Sequence, residues 1–496
     1  MRKLLIWSFV WTVLLWAGPS RFVKAAEDVS IPANGTTAVD PSASPANHPK
    51  KISKGTVFPV TKEKTADESP LPTAKKKTLE ERLDEIDQRS KILERNWELK
   101  GEDDAAAAKD GAVVTANGKD GFGIKAKNGT FQLKIGGYVQ TDGRFYLGDK
   151  SHLYSDTFLN RRARLDLSGT LYKTIGFRLQ PSWDGGTAGL QDAFLDLKFR
   201  KELALRAGQT KSPIGLERLQ SSSDTLFTEA AFPTLLTPNY DIGAFLTGDL
   251  GLSQASYTIA LLNGTPDNNS APVTDFNENK ELAGRVWATP FQPGWSFLKG
   301  LGVGIAGSYG HEDGVSYLAS SYKTPGQAAF FSYASSVAAR GQHVRIAPQA
   351  AYYNGHFGVL GEYTLSSQDV IKSNRVYRIG NTAWQVAASY VIGGVPSLKS
   401  VTPKVTFDPA KGNWGALELA ARGTVFLVDS EAFTKSLQGT GTQARRANSV
   451  GVGANWFFAK GTKLQVSYDV TDLKNLQNIR VRPTERFLST RFQVAL

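Results

Sequence analysis

Cysteine is absent from the 496 residues, which excludes disulfide staples and thiolate metal sites. Methionine occurs once, and the five histidines (His48, His152, His311, His343 and His356) are scattered, with no HExxH pair for zinc. No GxSxG elbow or P-loop appears, and basic residues are not interleaved with aromatics in a nucleic-acid-binding pattern. No cofactor, no nucleic-acid partner and no enzymatic activity are therefore expected. Long apolar runs are missing too. After residue 17 nothing approaches the ~18–20 residues a membrane-spanning helix needs. The mature protein is soluble, or it crosses a membrane as strands.

What is present starts with an export signal. Met1, Arg2 and Lys3 precede an apolar stretch over 4–17, then Gly18 and Pro19, and Val23-Lys24-Ala25 offers a cleavage site, so 1–25 reads as a signal peptide. Residues 26–75, rich in Pro, Ala, Ser, Thr and Lys, cannot bury enough apolar surface to offset their ordering entropy and read as a disordered periplasmic linker. Over 76–100, Leu79, Leu83, Ile86, Ser90, Leu93 and Trp97 recur at heptad spacing, which predicts a helix. It is either a short coiled coil or a lone amphipathic helix packed on something else. Residues 101–130 read as a second linker.

From residue 131 to 496 the period changes to two. FQLKIGGYVQTDGRFY sets Phe131, Leu133, Ile135 and Val139 against Gln132, Lys134, Tyr138, Gln140, Asp142 and Arg144. TKLQVSYDV opposes Leu464, Val466 and Tyr468 to Lys463, Gln465, Ser467 and Asp469. A charge at nearly every second position does not suit a sandwich core. It suits strands with one face toward water and the other toward lipid. About sixteen such segments can be placed, separated alternately by tight turns and by long segments such as 211–241, 263–278, 311–342 and 427–446. The connection 393–412 is too long for a plain turn. The fold class is an all-β transmembrane antiparallel barrel of about 16 strands, preceded by a short coiled-coil helix, in contact with outer-membrane lipid.

The alternation puts Arg144, Arg162, Arg164, Arg178, Arg206, Arg285, Arg345, Arg422 and Arg491 on the water side. The formal net charge of +12 makes anions the expected cargo. A guanidinium offers charge and a planar fork of donors to an oxyanion. Two readings stay open: an electropositive ladder, or arginines neutralised across strands by Asp142, Asp166, Asp184, Asp192, Asp196, Glu418 and Asp469.

The stretches FLNRRARLDLSGTL, LQDAFLDL, RAGQTKSPIGLERLQSSSDTL, YTIALLNG, AGRVWATPF, GALELAARGTV and NSVGVGANWFF resemble landmarks of the phosphate- and polyphosphate-selective porins, from about residue 130 to the end. That resemblance implies a homotrimer of sixteen-stranded barrels in the bacterial outer membrane, passing inorganic phosphate, pyrophosphate or polyphosphate. It also implies a central anion site near the third outer loop. Residue by residue it points to Arg144, Arg161, Arg162, Asp192, Arg218, Ser221 and Ser222, with Arg218 standing where the family usually has lysine. Arg161 needs a local bulge, because strict alternation turns it outward. A general or organic-anion porin without a specific site, an envelope tether with a barrel anchor, and an outer-membrane hydrolase are the competing readings.

Overall fold

The computed structural model describes residues 78–117, 121–148, 154–251, 254–270, 278–291, 297–316, 318 and 321–496; the expected signal peptide and the 26–75 linker lie outside them. Helix α1 (Leu79–Asp110) opens on a capping box. The Glu81 N–H donates to Thr78 Oγ1 at 3.4 Å, and the Thr78 N–H donates to Glu81 Oε2 at 2.9 Å. Arg89–Glu85 and Lys91–Asp87 pairs one turn apart add support. The helix runs on past residue 100 because the alanine run at 105–108 carries the highest helix propensity. Leu83, Ile86, Leu93 and Trp97 of the heptad seam are exposed.

The expected linker over 101–130 is corrected by the structure: after the helix it holds a hairpin, β1 (Ala112–Asn117) and β2 (Gly121–Ala126). Val113, Val114, Thr115 and Ile124 favour extended backbone. β2 pairs with the start of β3 (Phe131–Tyr146), from Phe122↔Ile135 to Lys125↔Gln132. This is the part of the β3 edge that the last strand does not reach, so the hairpin supplies partners to an otherwise open edge.

From β3 onward each barrel strand pairs antiparallel with the next. The first half comprises β3, β4 (Thr157–Leu171), β5 (Ile175–Asp184), β6 (Thr187–Arg200), β7 (Leu203–Lys211), β8 (Tyr240–Asp249), β9 (Ala255–Leu262) and β10 (Glu281–Ala288). Then come β11 (Leu301–Ser316) and, after the short loop strands β12 (Tyr322–Lys323) and β13 (Ala329–Phe331), β14 (Ala338–Asn354), β15 (Phe357–Lys372) and β16 (Arg375–Ile392). The short pair β17 (Gly394–Val395) and β18 (Thr402–Pro403) precedes β19 (Ala416–Leu427), β20 (Arg446–Ala459), β21 (Thr462–Lys474) and β22 (Glu485–Ala495). β22 returns to β3, with Arg491 opposite Asp142 and Ala495 opposite Tyr138, and closes a ring of sixteen strands.

The burial pattern is inside out relative to a soluble protein. On β21, Lys463, Gln465, Ser467, Asp469 and Thr471 are buried toward the lumen, while Val450 and Val452 of neighbouring β20 are 64% and 54% exposed. An apolar outer face with a polar interior is what a strand between lipid and water requires. Phe407, Trp414, Trp456 and Phe458 form an aromatic cluster at the end where tight turns join the strands, as expected of residues at a membrane interface. No helix among the described residues is long and apolar enough to cross a membrane.

Two connections depart from simple alternation at the ends of the barrel. The 393–415 connection, long where a tight turn would serve, folds on itself through β17 and β18 and packs Val401 against Val391, Ala416 and Phe457. The 212–239 loop between β7 and β8 turns inward, burying Ile214, Leu216, Phe227, Phe232 and Leu236. Gly215 starts that turn at φ +86°, a conformation glycine adopts without strain.

Candidate anion-binding site

The inward loop is held by a row of lumen amides and carboxylates on facing strands. Its carbonyls at Ser222, Ser223 and Leu226 accept from Gln140, Gln493 and both Gln465 and Asn455, at 2.9–3.0 Å. Lys463 Nζ donates to the Thr225 carbonyl at 3.0 Å. From the other side Glu362 accepts the Leu216 N–H at 2.6 Å, and Thr228 Oγ1 meets Ser489 Oγ at 2.5 Å. The loop therefore bridges opposite walls. Its Gln220 side chain donates to the Leu398 carbonyl of the 393–415 connection at 3.0 Å.

Arg161 arrives through the bulge it requires. Across β3 and β4, Gln140 faces Arg162 but the next partner of Thr141 is Asn160, so Arg161 is the extra residue. It turns to Glu229 of the inward loop, Nε to Oε1 at 2.8 Å, and Arg144 Nη2 reaches the same oxygen at 2.7 Å. Burial pushes the Glu229 carboxyl up, but the guanidiniums of Arg161, Arg162 and Arg491 outweigh it and hold it well below the usual carboxylate range. Arg144 and Arg161 thereby act as a pair of clamps on the loop that share one carboxylate.

Carboxylates also meet most of the arginines expected along the ladder. Arg164 pairs with Asp184, Arg178 with Asp166 and Asp192, and Arg206 with Asp196. Arg345 pairs with Asp267 and Glu281, Arg422 with Asp469, and Arg491 with Asp142. Arg345, Arg422 and Arg491 are also buried at 1–3% exposure, because inward-folded loops cover them. Desolvated guanidiniums need such carboxylates, so partners on adjacent strands and covering loops neutralise them.

What remains includes four cations with no carboxylate in pairing distance among the described residues, Arg162, Lys211, Arg218 and Arg285, beside Lys463, which the Thr225 carbonyl engages. Arg162 Nη1 donates to Gln140 Oε1 at 3.1 Å, and Arg285 Nη2 to Gln349 Oε1 at 3.0 Å. Lys211 Nζ donates to the Gln220 carbonyl. Arg218 lies in a cage of neutral acceptors, Thr237 Oγ1, Asn239 Oδ1, Asn268 Oδ1 and the Thr234 carbonyl. Burial lowers the Arg218 guanidinium to about 10, which leaves it charged at neutral pH.

Three of these four converge. Arg162, Lys211 and Arg218 line one small cavity of about 90 Å³ together with Arg164, Glu217, Ser222, Thr225, Thr228 and Tyr240. The Ser222 hydroxyl makes no hydrogen bond within the described residues and is available as a donor. A larger cavity of about 380 Å³ is bounded by Asp192, Ser221 and Arg285 and shares Arg164, Lys211, Ser222 and Tyr240 with the first. Ser221 Oγ meets Ser223 Oγ at 2.8 Å in a local turn, and Asp192 accepts from Thr210 Oγ1 at 2.7 Å. Of the residues expected at the site, the small cavity unites Arg162, Arg218 and Ser222; Asp192 and Ser221 border the adjoining one; Arg144 and Arg161 are engaged by Glu229.

Lys211, Tyr240 and Glu229 are absent from the sequence-based set. Alternation from Arg206 turns Thr210 inward and Lys211 outward, but Lys211 ends its strand, where the chain leaves the sheet and period two lapses. Glu229 has no local signal, since its role depends on a loop meeting strands far away in sequence. No group of residues able to hold a metal ion occurs among the described residues.

A closed ring of sixteen antiparallel strands, apolar outside and polar within, with a loop folded across its lumen, defines an outer-membrane porin. The particular family follows from the sequence profile: the chain belongs to the phosphate-selective porin O and P family, which matches residues 133–496. No curated protein matches the chain. Among solved structures it is similar to the outer membrane channel DcaP of Acinetobacter baumannii, with 10% identity, TM-score 0.48, and coverage of 75% of this chain and 99% of that one. It is also similar to an anion-selective porin from Comamonas acidovorans, with 12% identity, TM-score 0.48, and coverage of 74% and 100%. A trimer form of OmpT from Vibrio cholerae gives 11% identity, TM-score 0.45, and coverage of 73% and 99%.

Proposed function

We propose that this porin passes phosphate-class anions through one short cationic filter and not along a charged ladder. The carrying observation is the convergence of Arg162, Lys211 and Arg218 on one small cavity while most other lumen arginines are neutralised. Three cations without a carboxylate partner, beside the Asp184-paired Arg164 and one acid, Glu217, favour an oxyanion. The Ser222 hydroxyl and the remaining guanidinium hydrogens supply donors that an anion such as chloride uses less well. A single site, in place of a series of deep traps, also favours the release that conduction requires. Family membership supports the same cargo, and inorganic phosphate is the simplest member of the class, ahead of pyrophosphate and polyphosphate.

In this reading the chain is exported by residues 1–25, tethered by 26–75 in the periplasm, and assembled as a homotrimer. The exposed apolar seam of α1 supports the assembly, since three such stripes would cover one another.

The test is single-channel recording of chloride current during phosphate titration, in the wild type and in Lys211→Met and Arg218→Gln. Losing one charge-assisted contact raises the half-blocking phosphate concentration about 10- to 100-fold. A proportional fall in all anion current, with block retained, would reduce the cluster to a bias on charge.

A further inference from the structure

The larger cavity is a poor match for more phosphate. Arg178 and Arg206, which line it, are already paired with Asp166, Asp192 and Asp196, and Asp192 itself lines the wall. The uncompensated cations there are Lys211, shared with the small cavity, and Arg285, whose guanidinium stacks on Trp287 at 5.1 Å. A condensed phosphate would bring several further negative charges into a compartment with little positive charge left to meet them.

The remaining walls are of another character. Tyr138, Pro213, Leu219, Tyr240 and Phe245 present carbon surface. The Arg206 guanidinium, paired with Asp196, lies 3.7 Å from the centre of the Phe194 ring and lines the cavity. A guanidinium plane stacks on an aromatic or sugar-like ring without demanding charge. Because Arg164, Lys211, Ser222 and Tyr240 border both cavities, a bound phosphate would sit at the doorway between them.

We infer that the two cavities form one site for a phosphate monoester, with the phosphoryl group among Arg162, Lys211, Arg218 and Ser222 and the uncharged organic group in the larger compartment. This rests on the phosphate filter proposed above. Burying the organic group adds affinity that inorganic phosphate lacks, while the doorway keeps the charged end in register.

The test compares block of the chloride current by inorganic phosphate, pyrophosphate and phenyl phosphate in the full-length protein. Phenyl phosphate is expected to block at a concentration about tenfold below inorganic phosphate, from the apolar area it buries, and pyrophosphate to gain no such advantage. Thr247 and Thr258, opposite each other on β8 and β9, both line the larger compartment. Thr258→Trp fills it and should bring the phenyl phosphate to phosphate ratio to near one; Thr247→Trp gives a second variant should the first fail to insert. Block by inorganic phosphate with no phenyl phosphate advantage, or with stronger block by pyrophosphate, overturns the monoester site and leaves the filter standing. No block by any of the three overturns both. An advantage that persists in an inserted tryptophan variant also overturns the placement.

Discussion

Arg161, the extra residue of the β4 bulge, places its Nε 2.8 Å from Oε1 of Glu229, 68 residues further along the chain. One irregular position in a strand thus fixes the loop that crosses the pore. Glu229 also receives Arg144, and the Arg422 guanidinium donates to its carbonyl at 2.8 Å. Glu229→Ala leaves clustered, desolvated guanidiniums without their anion, a change that costs about 3–5 kcal/mol in buried pairs. The expected outcome is a clear drop in the temperature at which the barrel loses its compact form on heated gels, together with noisier single-channel current. Glu229→Gln, which keeps the shape and removes the charge, should raise anion preference as well.

Neutralised arginines should be dispensable as pairs. Arg422 and Asp469 meet at 2.9 Å, both nearly fully buried. Arg422→Met alone strands a buried carboxylate and should destabilise the barrel strongly, whereas Arg422→Met with Asp469→Leu should recover most of the loss. Phosphate block in the double variant should stay within about twofold of wild type, since the net charge of the lumen is unchanged. A loss of block comparable to that of Lys211→Met would mean that the pair belongs to the conduction path.

The inward loop carries a pH-sensitive group in Asp224. Burial pushes its carboxyl up to about 6, with the Lys463 ammonium opposing the shift. A raised carboxyl means that the folded protein holds a proton the unfolded chain has released. That contribution to loop stability is present at low pH and is lost as pH rises through the usual carboxylate range to about 6. The same step adds a negative charge to the lumen. Reversal potentials in a salt gradient should show stronger anion preference at about pH 5 than at about pH 7.5, and Asp224→Asn should flatten the difference.

The α1 seam offers a separate check on assembly. Leu83→Glu with Leu93→Glu places charge on the exposed apolar stripe of the helix. The double variant should weaken the proposed trimer on gels while single-barrel conductance stays as in wild type. Unchanged oligomer stability would assign the helix to another role.

Fold was largely legible because period two is a local signal. Lys463, Gln465, Ser467 and Asp469 alternate with Leu464, Val466 and Tyr468 wherever the chain lies between lipid and water, and the sixteen segments found this way match the barrel strands. The hairpin before β3 was missed because two six-residue strands carry little pattern, and the open edge they cover exists only once β22 stops short. The site was legible in part. Arg162, Arg218 and Ser222 do meet, but which arginines stay unpaired depends on contacts such as Arg345–Asp267 and Arg161–Glu229, made by loops whose inward fold has no periodicity to read.

The central claim is a single cationic filter for phosphate-class anions at Arg162, Lys211 and Arg218. Its most direct measurement is the chloride current of the reconstituted wild-type protein as inorganic phosphate is added at constant ionic strength. The account predicts a saturating fall in current at sub-millimolar phosphate. An anion-selective current that never saturates or falls as phosphate rises would contradict the filter and leave a porin that sorts its cargo by charge alone.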